Sequence, residues 1–382
     1  MDFSINSKQR KIMNVVRELV QGEFKPALLS SAAGYNNGFN WSLVRRLGEY
    51  NLVCPTVPEE YGGRGLSRLT TALVLEEIAA GHPGLAAVIA ATLHAVEPIL
   101  LAGTEEQKQK YLPVLTGANA GLAAFALTEA SGGSDLNSMK TCAERRPDGC
   151  YYVNGVKDYV INAAVADWIT VIASTRPEAG KASLRVLLID KNSDGVYMGS
   201  KRETSGLNYA EISQIQFNDT VLHENDVIKG NEAGSGYLLL TQTFDQGRAM
   251  VGAISIGIAR AALETALEFA EQRVQFGTIL KKHQAISFNL ADMATRIEMS
   301  RLMVWKACWL IDQGGDYSAA SAMAKVAASE TAQQVTCASA DIMGARGYER
   351  GTFMEQLVRD ARVLSTIEGT NNMQRLVIAS QL

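Results

Sequence analysis

The spacing of apolar positions changes character twice along the chain. Near the start, Ile12, Val15, Val16 and Leu19 recur at helical intervals and predict one buried helix face. The run Thr104-Glu-Glu-Gln has the form of a capping box and predicts a helix that ends near Pro113. From about residue 121 the period shortens. "LAAFALTEA", "WITVIAST" and "LRVLLID" are short apolar runs suited to buried strands, and Ile215 and Phe217 alternate with Gln214 and Gln216 as on a half-buried one. Asn154-Gly155, set between two strand-like pieces, predicts a hairpin. From about residue 231 long helical stretches return, rich in Ala, Gly and Ser, which let helices pack closely. Helices, then a sheet, then helices make an α+β multidomain chain. It divides into an N-terminal helical domain over residues 1–120, a middle β domain over 121–230 and a C-terminal bundle of the four-helix type over 231–382.

Composition adds mainly exclusions. A chain of 382 residues exceeds what one core usually holds, in keeping with several packed units. Lys plus Arg number 36 and Asp plus Glu 40, a formal net charge of -4 with no basic stripe, so nucleic acid is not an expected partner. The most apolar stretch, Leu85 to Ala102, is interrupted by His94, Glu97 and Pro98; it reads as a buried helix, and no membrane is expected. Five cysteines without metal or disulfide spacing and four scattered histidines give no metal site. With no signal-peptide character at the N-terminus, a cytoplasmic location is the expectation.

Near the C-terminus, "STIEGTNN" sets a lone carboxylate, Glu368, between Ile367 and Gly369, just ahead of a helix-like run. The plain reading is a helix start: Thr370 or Asn371 caps the run holding Met373, Leu376 and Val377, and Glu368 lies near the positive helix end.

Four segments give a second reading: "ALTEASGGSD" (126–135), "NGVKDYVINAAVADW" (154–168), "RVQFGTILKKHQAI" (273–286) and "RDARVLSTIEGTNNMQR" (359–375). With "PEEYGG" (58–63) and "GTEEQKQKYLP" (103–113), their order and spacing resemble the acyl-CoA dehydrogenase family over nearly the whole chain. The resemblance implies a middle domain of sandwich or barrel-like form, non-covalent FAD, a homotetramer or dimer, and an acyl-CoA or acyl-carrier-protein substrate. It also implies electron-transfer flavoprotein as the electron acceptor. Phe125, Leu127, Thr128, Gly133 and Ser134 match the strand and loop that meet the flavin, and Tyr159, Val160 and Ile161 the segment along one flavin face. Arg273, Gln275, Phe276 and Gln284 match residues that reach a flavin across the subunit interface; Asp341 with Gly344, and Thr370 with Asn372, match further cofactor segments. Ser134, Phe244, Asp245, Arg248 and Gly369 match substrate-side positions. Glu368 matches the glutamate that abstracts the substrate α-proton, a role that suits a carboxylate desolvated against Ile367. The alternative base position, on the helix holding "FDQGR", carries Gly247 here.

Departures from the family pattern bear on the substrate and on the fate of the electrons. Ile161 stands where a hydroxyl usually reaches flavin N5, and Asp341 where a glutamine is usual. They leave two other readings open: a flavin oxidase that passes electrons to oxygen, and a non-catalytic binding subunit. In "AATLHAVEP", His94 and Glu97 are placed to meet a polar acyl group; the plainer expectation has His94 satisfied among helices and Glu97 in water.

Overall fold

A computed structural model describes residues 4–32, 39–228 and 235–382. The boundary expected between residues 230 and 231 lies outside them. The N-terminal part is helical: α1 (Ser7–Leu19), α2 (Lys25–Ala32), α3 (Trp41–Gly48), α4 (Arg68–Gly81), α5 (Pro83–Ala102) and α6 (Glu105–Tyr111). In α1 the expected Ile12, Val16 and Leu19 turn inward, while Val15 is only half-buried and Met13 joins the buried face. At α6 the box closes both ways: Thr104 Oγ1 accepts from the Gln107 amide and Gln107 Oε1 from the Thr104 amide. The apolar α5 is mostly buried within the fold.

Eight strands follow: β1 (Ala123–Ala126), β2 (Cys142–Arg145), β3 (Tyr151–Ile161), β4 (Trp168–Ser174), β5 (Leu184–Asp190), β6 (Val196–Lys201), β7 (Ile212–Leu222) and β8 (Val227–Ile228). They form one sheet in the order β6-β7-β3-β2-β4-β5-β8, with β1 parallel beside β4. The sheet has apolar partners on both faces. Trp168, Ile172, Val186 and Leu188 join the main helical core, while Ile169, Val171, Leu187 and Ile189 join a second core with Val153, Ile215 and Phe217. Burial on both faces is why β4 and β5 read as continuous apolar runs, and one solvated face is why β7 alternates.

The hairpin expected at Asn154-Gly155 does not form. β3 runs through both residues as one strand, pairing with β2 on one side and β7 on the other. The Asn-Gly pair serves a bulge instead. Gly155 has φ 146°, and a Cβ there would lie 2.6 Å from Thr141 Cα. Asn154 exchanges two 2.9 Å hydrogen bonds with Asp219.

Long helices return with α7 (Ser235–Gln272), followed by the small hairpin β9 (Val274–Gln275) and β10 (Thr278–Ile279). Then come α8 (Gln284–Asp312), α9 (Ser318–Met343), the short α10 (Ala345–Tyr348), α11 (Phe353–Val363) and α12 (Asn371–Ala379). Buried alanines such as Ala259, Ala266, Ala324, Ala328 and Ala332 bring α7, α8 and α9 close. Two buried polar contacts seat α5 against the sheet: Asn162 Nδ2 donates to Val88 O (2.9 Å) and Thr170 Oγ1 to Ala95 O (2.7 Å). This seating sets α5 against the open end of β1.

Candidate active site

Glu368 lies in the turn between α11 and α12, where helix propensity is interrupted by Gly369. It has a left-handed backbone (φ 55°), a conformation that costs a non-glycine residue about 1–2 kcal/mol, and the surroundings hold it there. Gln374 Nε2 donates to the carbonyls of Glu368 (3.1 Å) and Gly369 (2.9 Å). Lys325 Nζ, buried in α9, donates to Gly369 O (3.0 Å) and Asn371 Oδ1 (2.9 Å). Thr370 caps α12 by accepting from the Met373 amide. The helix-start reading of this stretch is therefore correct, and the same turn aims the carboxylate inward.

The Glu368 side chain is 18% exposed and its Oε2 has no hydrogen-bond partner among the described residues. Burial pushes its pKa up to about 7, against the opposing pull of Arg248 and Lys325. His94 Nδ1 lies 3.4 Å from Oε2. Its ring centroid is 4.3 Å from Phe125 and 5.1 Å from Phe244, so α5, β1, α7 and the turn before α12 all meet at the carboxylate. Gly247 faces the same spot: a Cβ there would stand 2.5 Å from His94 Nδ1 and 3.1 Å from Glu368 Oε2. Arg248 pairs with Asp245 one turn away, both largely buried.

The plainer expectations for α5 fail in both particulars. His94 is buried with both ring nitrogens unpartnered, and burial, joined by Arg248, lowers its pKa to about 3. Glu97 is 2% exposed and bonds Arg68 Nη2 at 2.7 Å. Pro98 sits inside α5 without turning Glu97 outward.

The other expected site residues fall into three places. Phe125 lies in β1 and Leu127 and Thr128 directly follow it, and the turn 129–132 leads to exposed Gly133 and Ser134. Glu129 fixes this loop from below: its Oε1 accepts from Lys157 Nζ and the Thr141 amide (both 2.9 Å) and its Oε2 from the Lys140 amide (2.8 Å), while Lys157 Nζ also reaches Leu127 O (2.9 Å). Burial alone would raise the Glu129 pKa; Lys157 and these donors outweigh it and hold the value at about 2. Above this base, Tyr159 is 60% exposed with φ 53°, and Ile161 is half-buried against the main core. The Val160 side chain goes the other way, into the second core. Arg273, Gln275, Phe276 and Gln284 are exposed around the β9–β10 hairpin, Phe276 at 96%. Asp341 and Gly344 line a separate cavity of about 1590 Å³ with Cys337, Tyr348 and Arg359. Asn372 is exposed on α12 and accepts from Arg375.

Among these residues, the fold brings Phe125, Phe244, Asp245, Arg248, Glu368 and Gly369 together; the hairpin and the Asp341 cavity are separate surfaces. Sequence reasoning missed Lys325, Gln374 and the Glu129–Lys157 pair. One signal was available: Lys325 is a single cation in the small-residue run "SAMAKVAAS".

The fold thus sets an inward carboxylate at the junction of two helical parts and a β part, a place where a general base could work. Comparison with known proteins assigns the chain to a family. Family profiles for the N-terminal, middle and C-terminal domains of acyl-CoA dehydrogenases match residues 6–119, 124–220 and 234–382. An acyl-CoA dehydrogenase of Bacillus subtilis is 35% identical over 379 residues, covering 99% of this chain and 98% of that protein. The structure of butyryl-CoA dehydrogenase from Megasphaera elsdenii superposes with a TM-score of 0.95 at 31% identity, covering 100% of this chain and 99% of that one. A structure described as PigA with FAD and proline does so with a TM-score of 0.93 at 29% identity, covering 100% and 99%. The chain belongs to the acyl-CoA dehydrogenase family and is an oxidoreductase acting on CH–CH groups.

Proposed function

We propose that this protein is an FAD-dependent dehydrogenase that converts an acyl thioester to the 2-enoyl thioester, with Glu368 as the α-proton base. The observation that carries the reading is the Glu368 carboxylate: buried, free of hydrogen bonds at Oε2, and poised near pKa 7, where a general base works best at neutral pH. The Glu368 backbone N–H has no partner among the described residues either, and is free to donate to a thioester carbonyl as negative charge develops there. Phe125, Phe244 and Ile367 supply an apolar wall that excludes water and keeps the carboxylate basic.

The residues around the open end of β1 fit FAD. The hydroxyls of Thr128 and Ser134 have no hydrogen-bond partner among the described residues, and they sit beside a glycine-rich loop whose base is fixed by Glu129 and Lys157. Such donors suit the carbonyl edge of an isoalloxazine, and exposed Tyr159 suits its face. Bound there, FAD would supply a hydride acceptor for the β-hydrogen of the substrate. A PigA structure holds FAD on the same fold, which supports this choice. Exposed Arg273, with no ion-pair partner among the described residues, and Phe276 beside it suit a neighbouring subunit's cofactor, so the enzyme works as a homo-oligomer. Electron-transfer flavoprotein is the proposed acceptor, and the cytoplasm the proposed location.

Glu368→Gln tests the reading. The variant should fold and bind FAD, and dithionite should reduce it normally. Anaerobic bleaching by a panel of acyl-CoA and acyl-carrier thioesters should slow by about 100- to 10,000-fold. Bleaching at the wild-type rate would sink the assignment and make Asp245 the next candidate. A second reading, the oxidase, is favoured by Ile161, which brings no hydroxyl to its segment. Hydrogen peroxide released in step with turnover selects it; electron transfer to the flavoprotein partner without peroxide selects the dehydrogenase.

A further inference from the structure

Building on Glu368 as the base, we propose that His94 is its positioning residue: an uncharged imidazole whose Nδ1–H holds the carboxylate in its working orientation. Two buried polar atoms face one another. His94 Nδ1 and Glu368 Oε2 are both buried, neither has another partner among the described residues, and they stand 3.4 Å apart. A small rotation of either side chain closes that gap to the ~2.9 Å of an ordinary N–H to oxygen bond. Buried polar atoms without partners are rare and costly, so two facing one another are best explained as a pair that closes during function.

The chemistry fixes which atom carries the hydrogen. An ionised carboxylate only accepts, so the nitrogen facing it must donate. Burial keeps His94 uncharged near neutral pH, its pKa pushed down to about 3. A neutral ring protonated at Nδ1 offers a dipole and no net charge. It orients the carboxylate while lowering its basicity less than a full ion pair would. The charged groups facing Glu368 are Arg248 on α7 and Lys325 on α9, and each is engaged elsewhere: Arg248 with Asp245, Lys325 with Gly369 O and Asn371. On α5 the facing group is His94 itself.

The surroundings are built for that ring. Phe125 and Phe244 hold it from two sides, and Gly247 gives it room in the middle of α7, where glycine costs about 1 kcal/mol against alanine. A spacer would need the same room, so the test must separate a ring that fills space from a ring that donates.

His94→Phe keeps the ring and removes the donor; His94→Gln keeps an N–H donor. In anaerobic stopped-flow reduction of the holoenzyme by butyryl-CoA, His94→Phe should lower the limiting rate about tenfold to a hundredfold with little change in the substrate Kd. It should also move the apparent pKa of that rate upward by about one unit, as loss of a donor to the charged form requires. His94→Gln should recover most of both. Independently of any substrate, ¹⁵N-histidine spectra of the wild-type holoenzyme at pH 8 should show His94 as the Nδ1–H tautomer, its signal assigned by its loss in either variant. Wild-type rate and pKa in His94→Phe, with Glu368→Gln inactive, would overturn the positioning role and leave the base in place. A bare Nδ1 would overturn it too. If Glu368→Gln retains full rate, the base assignment itself falls. Should butyryl-CoA fail to bleach the wild type, or His94→Phe fail to fold, the tautomer decides.

Discussion

Lys325 Nζ, buried on α9, donates a 3.0 Å hydrogen bond to the carbonyl of Gly369, the residue after the proposed base. The same nitrogen bonds Asn371 Oδ1 at 2.9 Å, so a single side chain ties the turn that holds Glu368 to the bundle. Burial brings its pKa down to about 8, while Glu368 pulls the other way. Lys325→Met removes the tie and leaves each acceptor with a single donor, Gln374 Nε2 at Gly369 O and Ser329 Oγ at Asn371 Oδ1. Stability to urea should fall by about 1–3 kcal/mol. The limiting rate of flavin reduction should fall with it, because the left-handed backbone at Glu368 loses a support. Unchanged unfolding and unchanged rate would show that Gln374 holds the turn alone.

The pKa of Glu368 sets the pH dependence. As the base it works ionised, so the rate of substrate-driven flavin reduction should rise about tenfold per pH unit below 7 and level off above it. For stability the sign is reversed. The folded value, about 7, lies above the ordinary 4.5, so the folded state holds the extra proton between those values and stability falls as pH rises through them. Glu368→Gln should therefore gain stability over wild type as pH rises from 4.5 to 7, followed by thermal melts across that range. A pH-independent difference would place the carboxylate in water.

Moving the base to α7 should fail. Gly247→Glu in the Glu368→Gln background supplies a carboxylate from the helix that holds Phe244 and Arg248, but its Cβ would sit 2.5 Å from His94 Nδ1. The ring is wedged between Phe125 and Phe244 and has little space to retreat. The double variant should be destabilised by about 1–3 kcal/mol and remain inactive. Adding His94→Ala should relieve the clash and restore measurable bleaching. Activity without the third change would mean that the ring moves freely.

Beneath the proposed cofactor loop, Lys157 is fully buried and pairs with Glu129 at 2.9 Å. Lys157→Met strands the carboxylate in a buried site, and loss of one partner of such a pair costs about 3–5 kcal/mol. FAD occupancy, read from the ratio of visible to ultraviolet absorbance, should drop as the Thr128–Ser134 loop loosens. Lys157→Met with Glu129→Leu should recover part of the stability and none of the occupancy, since the double variant also removes the carboxylate that accepts from the Lys140 and Thr141 amides. Full occupancy in either variant would detach this pair from the cofactor site.

Much of this protein is legible in its sequence. Local signals were decisive wherever partner and signal are neighbours in the chain. The Thr104–Gln107 box, the inward face of α1, the buried runs of β4 and β5 and the Thr370 cap depend on spacings of a few residues. The six ordered segments were enough to name the family, and the "EGT" turn to make Glu368 the proposed base. Tertiary structure decided the rest, because burial and partnership come from residues far apart in sequence. Asn154-Gly155 has the local chemistry of a hairpin, yet β2 and β7 claim its two sides and leave room only for a bulge. Polar residues on α5 would face water on a lone helix. The sheet and the bundle cover them, so Glu97 finds Arg68 and His94 is left with Glu368, 274 positions along the chain, as the nearest atom it can serve. The basicity of Glu368 belongs to that second category: its residue type is written in the sequence, and its pKa near 7 is the work of α5, α7 and α9 shutting out water around it.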